Sequence, residues 1–248
     1  MDMSNYYAEM TEKALEGYKR INNSDQVENK KYEVPNATWD VNVVRGKVLE
    51  KATVTRVSLR TKHPVTGDDT HFHALQSKVY PANPKIPILV FIIEHMVAQD
   101  DFFSGMMDVI APAPIEEDLS FLGAEMKKVC EKHGEEYEPL RDKGAQIFKL
   151  EPWKKPINAG VGIHNPTVKE RVEMIKEEGQ VWLSSYLKVV EKRINEPFTD
   201  EDVEQMNAIR ARILEYYYLG DISLTEAMKL GIPLEAINPM LLAPAIRY

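Results

Sequence analysis

The chain has 248 residues, is 44% hydrophobic and carries a formal charge of −8, which suits one sizeable core and opposes broad nucleic-acid binding, since that requires clustered Lys and Arg in a positive field. Its longest apolar run, Pro87 to Ile93, is too short to cross a bilayer, and the opening MDMSNYYAEMTEK is acidic and polar where an export signal is basic, then apolar. The single cysteine, Cys130, excludes an internal disulfide framework and a multi-thiolate metal centre, so the expectation is one domain over residues 1–248, in the cytoplasm, with no membrane or nucleic-acid partner.

In chain order, Met10, Ala14, Leu15, Tyr18 and Ile21 recur at helical spacing and predict an amphipathic helix over 3–21, followed by the polar linker NNSDQVENKK. From about 40 to 112 the period becomes that of strands: KATVTRVSL, HALQSKVY, ILVFIIEHM and FFSGMMDVI are divided by KHPVTGDD, PANPKIP and VAQDD. Those connections are too short for crossover helices, so the strands are expected to run antiparallel as a meander. Helices follow over 116–133, 136–147, 167–194 and 199–218, with short pieces after 222; Thr199 supplies an N-cap with acids in the first turn behind it. Helices from both ends of the chain around such strands imply an α/β fold, an α/β/α sandwich with a central antiparallel β-sheet.

Alternation along ILVFIIEHM puts Val90, Ile92, Glu94 and Met96 on one face and Phe91, Ile93 and His95 on the other. Glu94 is then either a strand-end acid in water or beside a Lys, or a buried carboxyl whose pKa rises toward neutrality, where a proton donor is useful. Asp108 either hydrogen-bonds turn amides at the end of the next strand or lines a site. Gln76, Lys78 and Tyr80 share a face that reads equally as solvated surface or cavity lining. The i, i+2 pair His71 and His73 lacks further partners for a metal set, and no metal site is expected. Cys130, in a helical stretch near lysines, reads as an inert thiol. Nucleotide, serine-hydrolase and zinc-protease signatures are missing, so in an enzyme the reactivity would arrive with the substrate.

The segment LQSKVYPANPKIPILVFIIEHMVAQDDFFSGMMDVIAP resembles the ferredoxin-dependent bilin reductases and the related red chlorophyll catabolite reductase, in which a central strand acid and a later Asp stand fourteen residues apart, as Glu94 and Asp108 do here. That family usually carries Asp where this chain has Glu94; the chlorophyll-catabolite branch carries Glu. The ending RILEYYYLGDISLTEAMKLGIPLEAINPMLLAP is similar as well, with Asp221 at the family's second acid and Gln76 at a position of catalytic His or Asn. The basic residues that commonly follow that second acid are absent from DISLTE.

The resemblance implies radical reduction of a linear tetrapyrrole, biliverdin IXα, as in phycobilin synthesis, with no bound cofactor and reduced ferredoxin as electron donor. Glu94 and Asp221 would supply protons, and Gln76, Lys78, Tyr80, Asp108 and Ser223 would contact the bilin. Lys127, Lys128, Lys132, Lys149, Lys154 and Lys155 would dock the acidic ferredoxin on a monomer. Two alternatives stand beside it: a non-catalytic tetrapyrrole-binding protein, and an enzyme like aerobic coproporphyrinogen oxidase, which EEDLSFLGAEMKKVCEKHG and VEKRINEPFTDED also resemble. Against the latter, an Arg of that enzyme falls near Glu94, which replaces a cation suited to a propionate with an anion.

Overall fold

In the computed structural model, which describes residues 3–62, 67–97, 101–168, 171–229 and 231–245, seven strands follow one another across one sheet in chain order, every neighbouring pair antiparallel. They are β1 (Glu28–Val34), β2 (Ala37–Val44), β3 (Leu49–Lys62), β4 (Asp69–Pro81), β5 (Ile88–Val97), β6 (Phe102–Ile110) and β7 (Ile163–Val168). The expected meander is therefore present, with three strands that the hydrophobic pattern had not resolved. β1 overlaps the end of the polar linker and is mostly exposed, an edge strand with Lys30 and Lys31 along it in which only Tyr32 and Val34 pack against the core, too few to show an apolar alternation. β7, with sequence IHNPTV, occupies the other edge, where Pro166 is tolerated because an edge strand has a free hydrogen-bonding side. It takes the residues at which a helix was expected to begin at 167; that helix starts at Val172.

One face of the sheet is covered by α1 (Ser4–Asn22), α2 (Glu116–Lys132), α3 (Tyr137–Gly144) and α4 (Val172–Arg193). Leu75, Leu89, Phe91, Ile93 and Val109 meet Tyr18, Trp182 and Tyr186 there in a dry core. The buried aromatic groups keep their polar ends satisfied: Trp182 Nε1 donates to the Val90 carbonyl at 3.2 Å and Tyr186 Oη to that of Pro87 at 2.9 Å. Cys130 is buried in this layer, where desolvation pushes its thiol up to about 12.

The opposite face carries α5 (Asp200–Leu219), α6 (Ile222–Lys229) and α7 (Leu234–Leu241), together with the irregular segment 145–160. Both faces are thus covered by helices, and the α/β/α sandwich stands. No helix among the described residues is long and apolar enough to cross a membrane.

α5 begins as its sequence dictates. Thr199 Oγ1 accepts from the Asp202 N–H at 3.3 Å, and the Asp202 carboxylate accepts from the Thr199 N–H at 2.8 Å. Asp202 also pairs with Lys85 of the β4–β5 connection at 2.8 Å, which ties the start of α5 to the end of the sheet. Thr199→Ala is expected to lower unfolding free energy by about 1 kcal/mol, the usual value of such a cap; a urea midpoint unchanged from the parent protein would remove the cap from the account of this helix.

Candidate active site

Antiparallel register assembles the site from the second face of the sheet, because directly opposed residues point the same way. One row across the strands reads Trp39, Val57, Ala74, Glu94, Ser104; the next reads Val41, Thr55, Gln76, Ile92, Met106, His164. A third holds Val43, Thr53, Lys78, Val90 and Asp108. The alternation read from the sequence is thus the real one: Glu94 lies with Val90 and Ile92, and Gln76, Lys78 and Tyr80 share its face. His95 lies on the other face, stacked on Phe103 with ring centroids 4.3 Å apart.

Between the first two rows and the helices lies a cavity of about 460 Å³, within the range of small-molecule sites. Its walls are mainly apolar and aromatic, with Trp39 and Ile92 from the sheet, Phe148 from the irregular segment, and Tyr216, Tyr217 and Leu241 from the C-terminal helices. Into this lining project two carboxylates, Glu94 and Asp221, and two neutral polar groups, Gln76 and His164. No Lys or Arg is among the described residues that line it.

Burial, reinforced by the negative charge of Asp221, raises the pKa of Glu94 to about 7. At neutral pH this carboxyl therefore exchanges readily between acid and base. Asp221 follows the break after α5 and caps α6: its Oδ1 accepts from the Leu224 N–H at 3.0 Å, and its carbonyl accepts from the Thr225 N–H at 3.0 Å. The capping task explains why an Asp stands there, and the cap turns the acid toward the cavity opposite Glu94. His164 was missed from the sequence because β7 was missed. Burial, helped by nearby Lys143, lowers its pKa, so the imidazole is neutral at pH 7, with Nε2 3.3 Å from Ser104 Oγ.

The remaining expected site residues divide. Gln76 lines the cavity and its Nε2 reaches Met240 Sδ at 3.1 Å. Tyr80 is fully buried and donates to the carbonyl of Leu241, a structural contact that holds the end of α7. Lys78 is buried at 3% exposure, outside the lining, with Nζ 4.9 Å from the ring centroid of Phe148 and 5.4 Å from that of Tyr217. The side chain of Ser223 lies outside the described residues.

Asp108 does not reach the cavity. It accepts from Asn158 Nδ2 at 2.6 Å and from the N–H groups of Val109, Gly160, Val161 and Gly162 at 2.8 to 3.3 Å. Burial works to raise its pKa against all these donors, yet five N–H groups and two oxygens that only accept describe an ionised carboxylate. Its work is to fold the 158–162 loop onto β6. Gly162 is required there, since a Cβ would stand 1.7 Å from the Met107 carbonyl oxygen. No cluster of three or more His, Cys, Asp or Glu among the described residues is arranged around a metal-sized point.

Comparison with known proteins gives a consistent result. A family model described as coproporphyrinogen III oxidase matches residues 2–243. The oxygen-dependent coproporphyrinogen-III oxidase of Rickettsia bellii is 25% identical over 225 residues, covering 84% of this chain and 80% of that protein. That of Coxiella burnetii is 27% identical over 191 residues, covering 71% of this chain, which spans only 61% of its relative.

These matches overturn the resemblance to bilin reductases, and with it biliverdin as substrate, ferredoxin as donor and partner, and phycobilin synthesis as the setting. The physical reasons are visible. Glu94 pairs with Ser104 and Val90 with Asp108, so the fourteen-residue spacing is what the β5–β6 hairpin register produces. The two acids stand four strand positions apart, roughly 13 Å at about 3.3 Å per residue. The spacing therefore reports a hairpin, not a shared pair of acids at one substrate. The proposed docking lysines form no single patch either. Lys127, Lys128 and Lys132 are on α2 and pair with Glu138, Glu125 and Glu177, whereas Lys149, Lys154 and Lys155 belong to the segment over the opposite face.

Two outcomes follow from this geometry. Asp108→Ala leaves five N–H donors without their acceptor and is expected to cost about 3–5 kcal/mol of stability, read as a fall in urea midpoint. A variant as stable as the parent would show that the loop does not depend on it. For Glu94, a folded-state pKa above the ordinary 4.5 means that its stability contribution is intact below pH 4.5 and lost as pH rises through about 7. Glu94→Gln should match the parent in stability near pH 4 and exceed it above pH 7, by about 3 kcal/mol at most. Parallel stability curves from pH 4 to 8 would contradict the shifted acid.

Proposed function

The chain belongs to the coproporphyrinogen III oxidase family, and we propose that it carries out the oxygen-dependent oxidative decarboxylation of a porphyrinogen propionate in the cavity between the sheet and the C-terminal helices. The observation that carries this reading is the extent of the family match, residues 2–243, which takes in every cavity-lining residue from Trp39 to Leu241.

The chemistry of such a substrate suits the lining. A porphyrinogen is a reduced, non-planar macrocycle with four pyrrole N–H donors near its centre and an apolar carbon frame. Apolar and aromatic walls take the frame, and Glu94 and Asp221 are the acceptors we assign to the N–H groups. In the overall step a propionate loses CO₂ and becomes a vinyl group, and the two electrons and two protons released convert O₂ to H₂O₂. The electron-rich pyrrole gives up electron density transiently and regains it from the bonds broken in its propionate side chain, so the ring ends at its original oxidation level. A carboxyl with a pKa near 7 is suited to take a pyrrole proton as electron density is drawn away and to return it afterwards, so we assign that role to Glu94. Asp221, kept ionised in this scheme, holds the macrocycle from the helical side. The compartment we propose is a reducing one such as the cytoplasm, consistent with a single thiol.

The test is direct: coproporphyrinogen III incubated with the purified protein in air and under argon, with products separated by carboxylate number and H₂O₂ assayed. The expected result is an oxygen-dependent product with fewer carboxylates and one H₂O₂ for each carboxylate lost. Binding without any product would replace the enzyme by a tetrapyrrole-binding protein. Glu94→Gln is expected to lower kcat by about 100-fold with KM nearly unchanged, as for loss of a general acid–base group; undiminished kcat would remove Glu94 from proton transfer.

A further inference from the structure

Among the described residues the cavity lining presents two carboxylates and no Lys or Arg, while the substrate class proposed above carries carboxylate arms. The second face of the sheet does hold two lysines one step behind the lining, each with a pKa lowered to about 7 by burial. Lys51 and Lys78, on neighbouring strands, are both buried, at 1% and 3% exposure. Their situations differ. Lys51 Nζ donates to the carbonyls of Asn238 and Leu242, so its ammonium is used by the end of α7. Lys78 Nζ has no hydrogen-bond partner.

Thr55 Oγ1, in the row next to Lys78, is also buried without a hydrogen-bond partner. Two polar groups without a hydrogen-bond partner thus stand at diagonal positions of neighbouring strands, on a face where Thr53 donates to Met240, Tyr80 to Leu241 and Lys51 to α7. The rings of Phe148 and Tyr217 offset part of the cost of burying Lys78; desolvation lowers its pKa to about 7 against the opposing charges of Asp221 and Asp108, so an approaching carboxylate would favour the ammonium form. Neither the rings nor those charges accept its N–H donors. A buried lysine with nothing to accept its protons destabilises the fold, and such a cost is retained where a ligand completes the group.

We propose that Lys78, with Thr55 beside it, is the subsite for one carboxylate arm of the tetrapyrrole, reached between the rings of Phe148 and Tyr217. This rests on the porphyrinogen reading of the cavity. The macrocycle lies over Gln76 and Ile92, and one propionate passes the two aromatic rings to meet the ammonium in a dry environment, where the charged hydrogen bond is strong. The acids of the lining take N–H donors and the lysine behind it takes an anion, so each end of the substrate meets its complement. The objection raised by Glu94, an anion where a relative has a cation, is answered by a cation one strand away.

Lys78→Met keeps the length of the side chain and removes the charge. Binding is measured by tryptophan fluorescence under argon, where no turnover occurs, with Trp39 in the cavity wall as reporter. The ligands are coproporphyrinogen III and its tetramethyl ester, and Lys127→Gln on α2 is the control. The expected result is at least tenfold weaker binding of the acid by Lys78→Met, unchanged binding of the ester, and a melting temperature equal to or above that of the parent. Equal affinity of parent and variant for the acid would overturn the subsite while leaving the porphyrinogen reading intact. A parent protein that binds neither ligand would overturn that reading, and the subsite with it. A lowered melting temperature with acid and ester weakened alike would make Lys78 a structural residue and also overturn the proposal.

Discussion

The second face of the sheet is polar where a covered face is usually apolar, and the structure depends on how that polarity is met. Lys51, Thr53 and Tyr80 point toward helices rather than water, and each finds a backbone carbonyl near the end of α7: Asn238 and Leu242, Met240, and Leu241. Carbonyls in the last turn of a helix lack internal donors, so the sheet supplies what α7 lacks and α7 supplies what the sheet requires. Pro239 inside α7 extends the logic. It has no N–H to give to Glu235, and the Glu235 carbonyl accepts instead from Tyr32 Oη on β1 at 2.6 Å. The C-terminal helix is therefore fixed by four side chains from three strands. Because it is fixed, Met240 and Leu241 form a standing wall of the cavity.

The same constraint separates polar residues that satisfy the backbone from those that do not, whatever their residue type. Tyr80, Lys51 and Asp108 each satisfy buried backbone groups, and their positions follow from folding alone. Glu94 and Gln76 line the cavity, and Gln76 also reaches Met240 Sδ of α7. Lys78 lies between the two groups, buried like the first and without a hydrogen-bond partner. Lys78 and Thr55, two of several buried polar groups without a hydrogen-bond partner, lie on the same face of the sheet as the cavity.

Much of this was legible in the sequence, to the extent that periodicity is local. The alternation over β4 and β5 placed Gln76, Lys78, Tyr80 and Glu94 on one face, and the Thr199 cap located the start of α5 to the residue. The edge strands were not legible, since β1 is polar but for Tyr32 and Val34 and β7 contains a proline, and His164 was lost with β7. Asp108 was ambiguous for a different reason. Its five donors come mainly from a loop about fifty positions later, and no local pattern announces such a contact. The family itself was misread because hairpin register sets spacings between acids in any protein that shares the meander, whereas the overturning signal is weak similarity spread along nearly the whole chain. Short motifs carried the geometry; only the distributed signal carried the lineage.

Charge decides how a protein of this composition could hold the anionic substrate we propose for it. The chain bears −8, and the cavity adds Glu94 and Asp221 at its surface, so long-range attraction toward a polycarboxylate is not available. At physiological ionic strength surface charges are screened over about 8 Å, which weakens the repulsion outside but leaves the interior of a closed apolar site unscreened. In the proposed complex, recognition would be short-ranged: N–H donors of the macrocycle against carboxylates, apolar frame against aromatic wall, and each carboxylate arm either in water at the mouth or against a lysine. Glu94 adjusts to this setting because its pKa near 7 lets it become neutral at small cost when a second negative group approaches. O₂, being uncharged, is indifferent to the field. An acidic cavity is thus compatible with an anionic, oxygen-consuming substrate system, provided that the acids meet the nitrogens and the carboxylates are directed away from them.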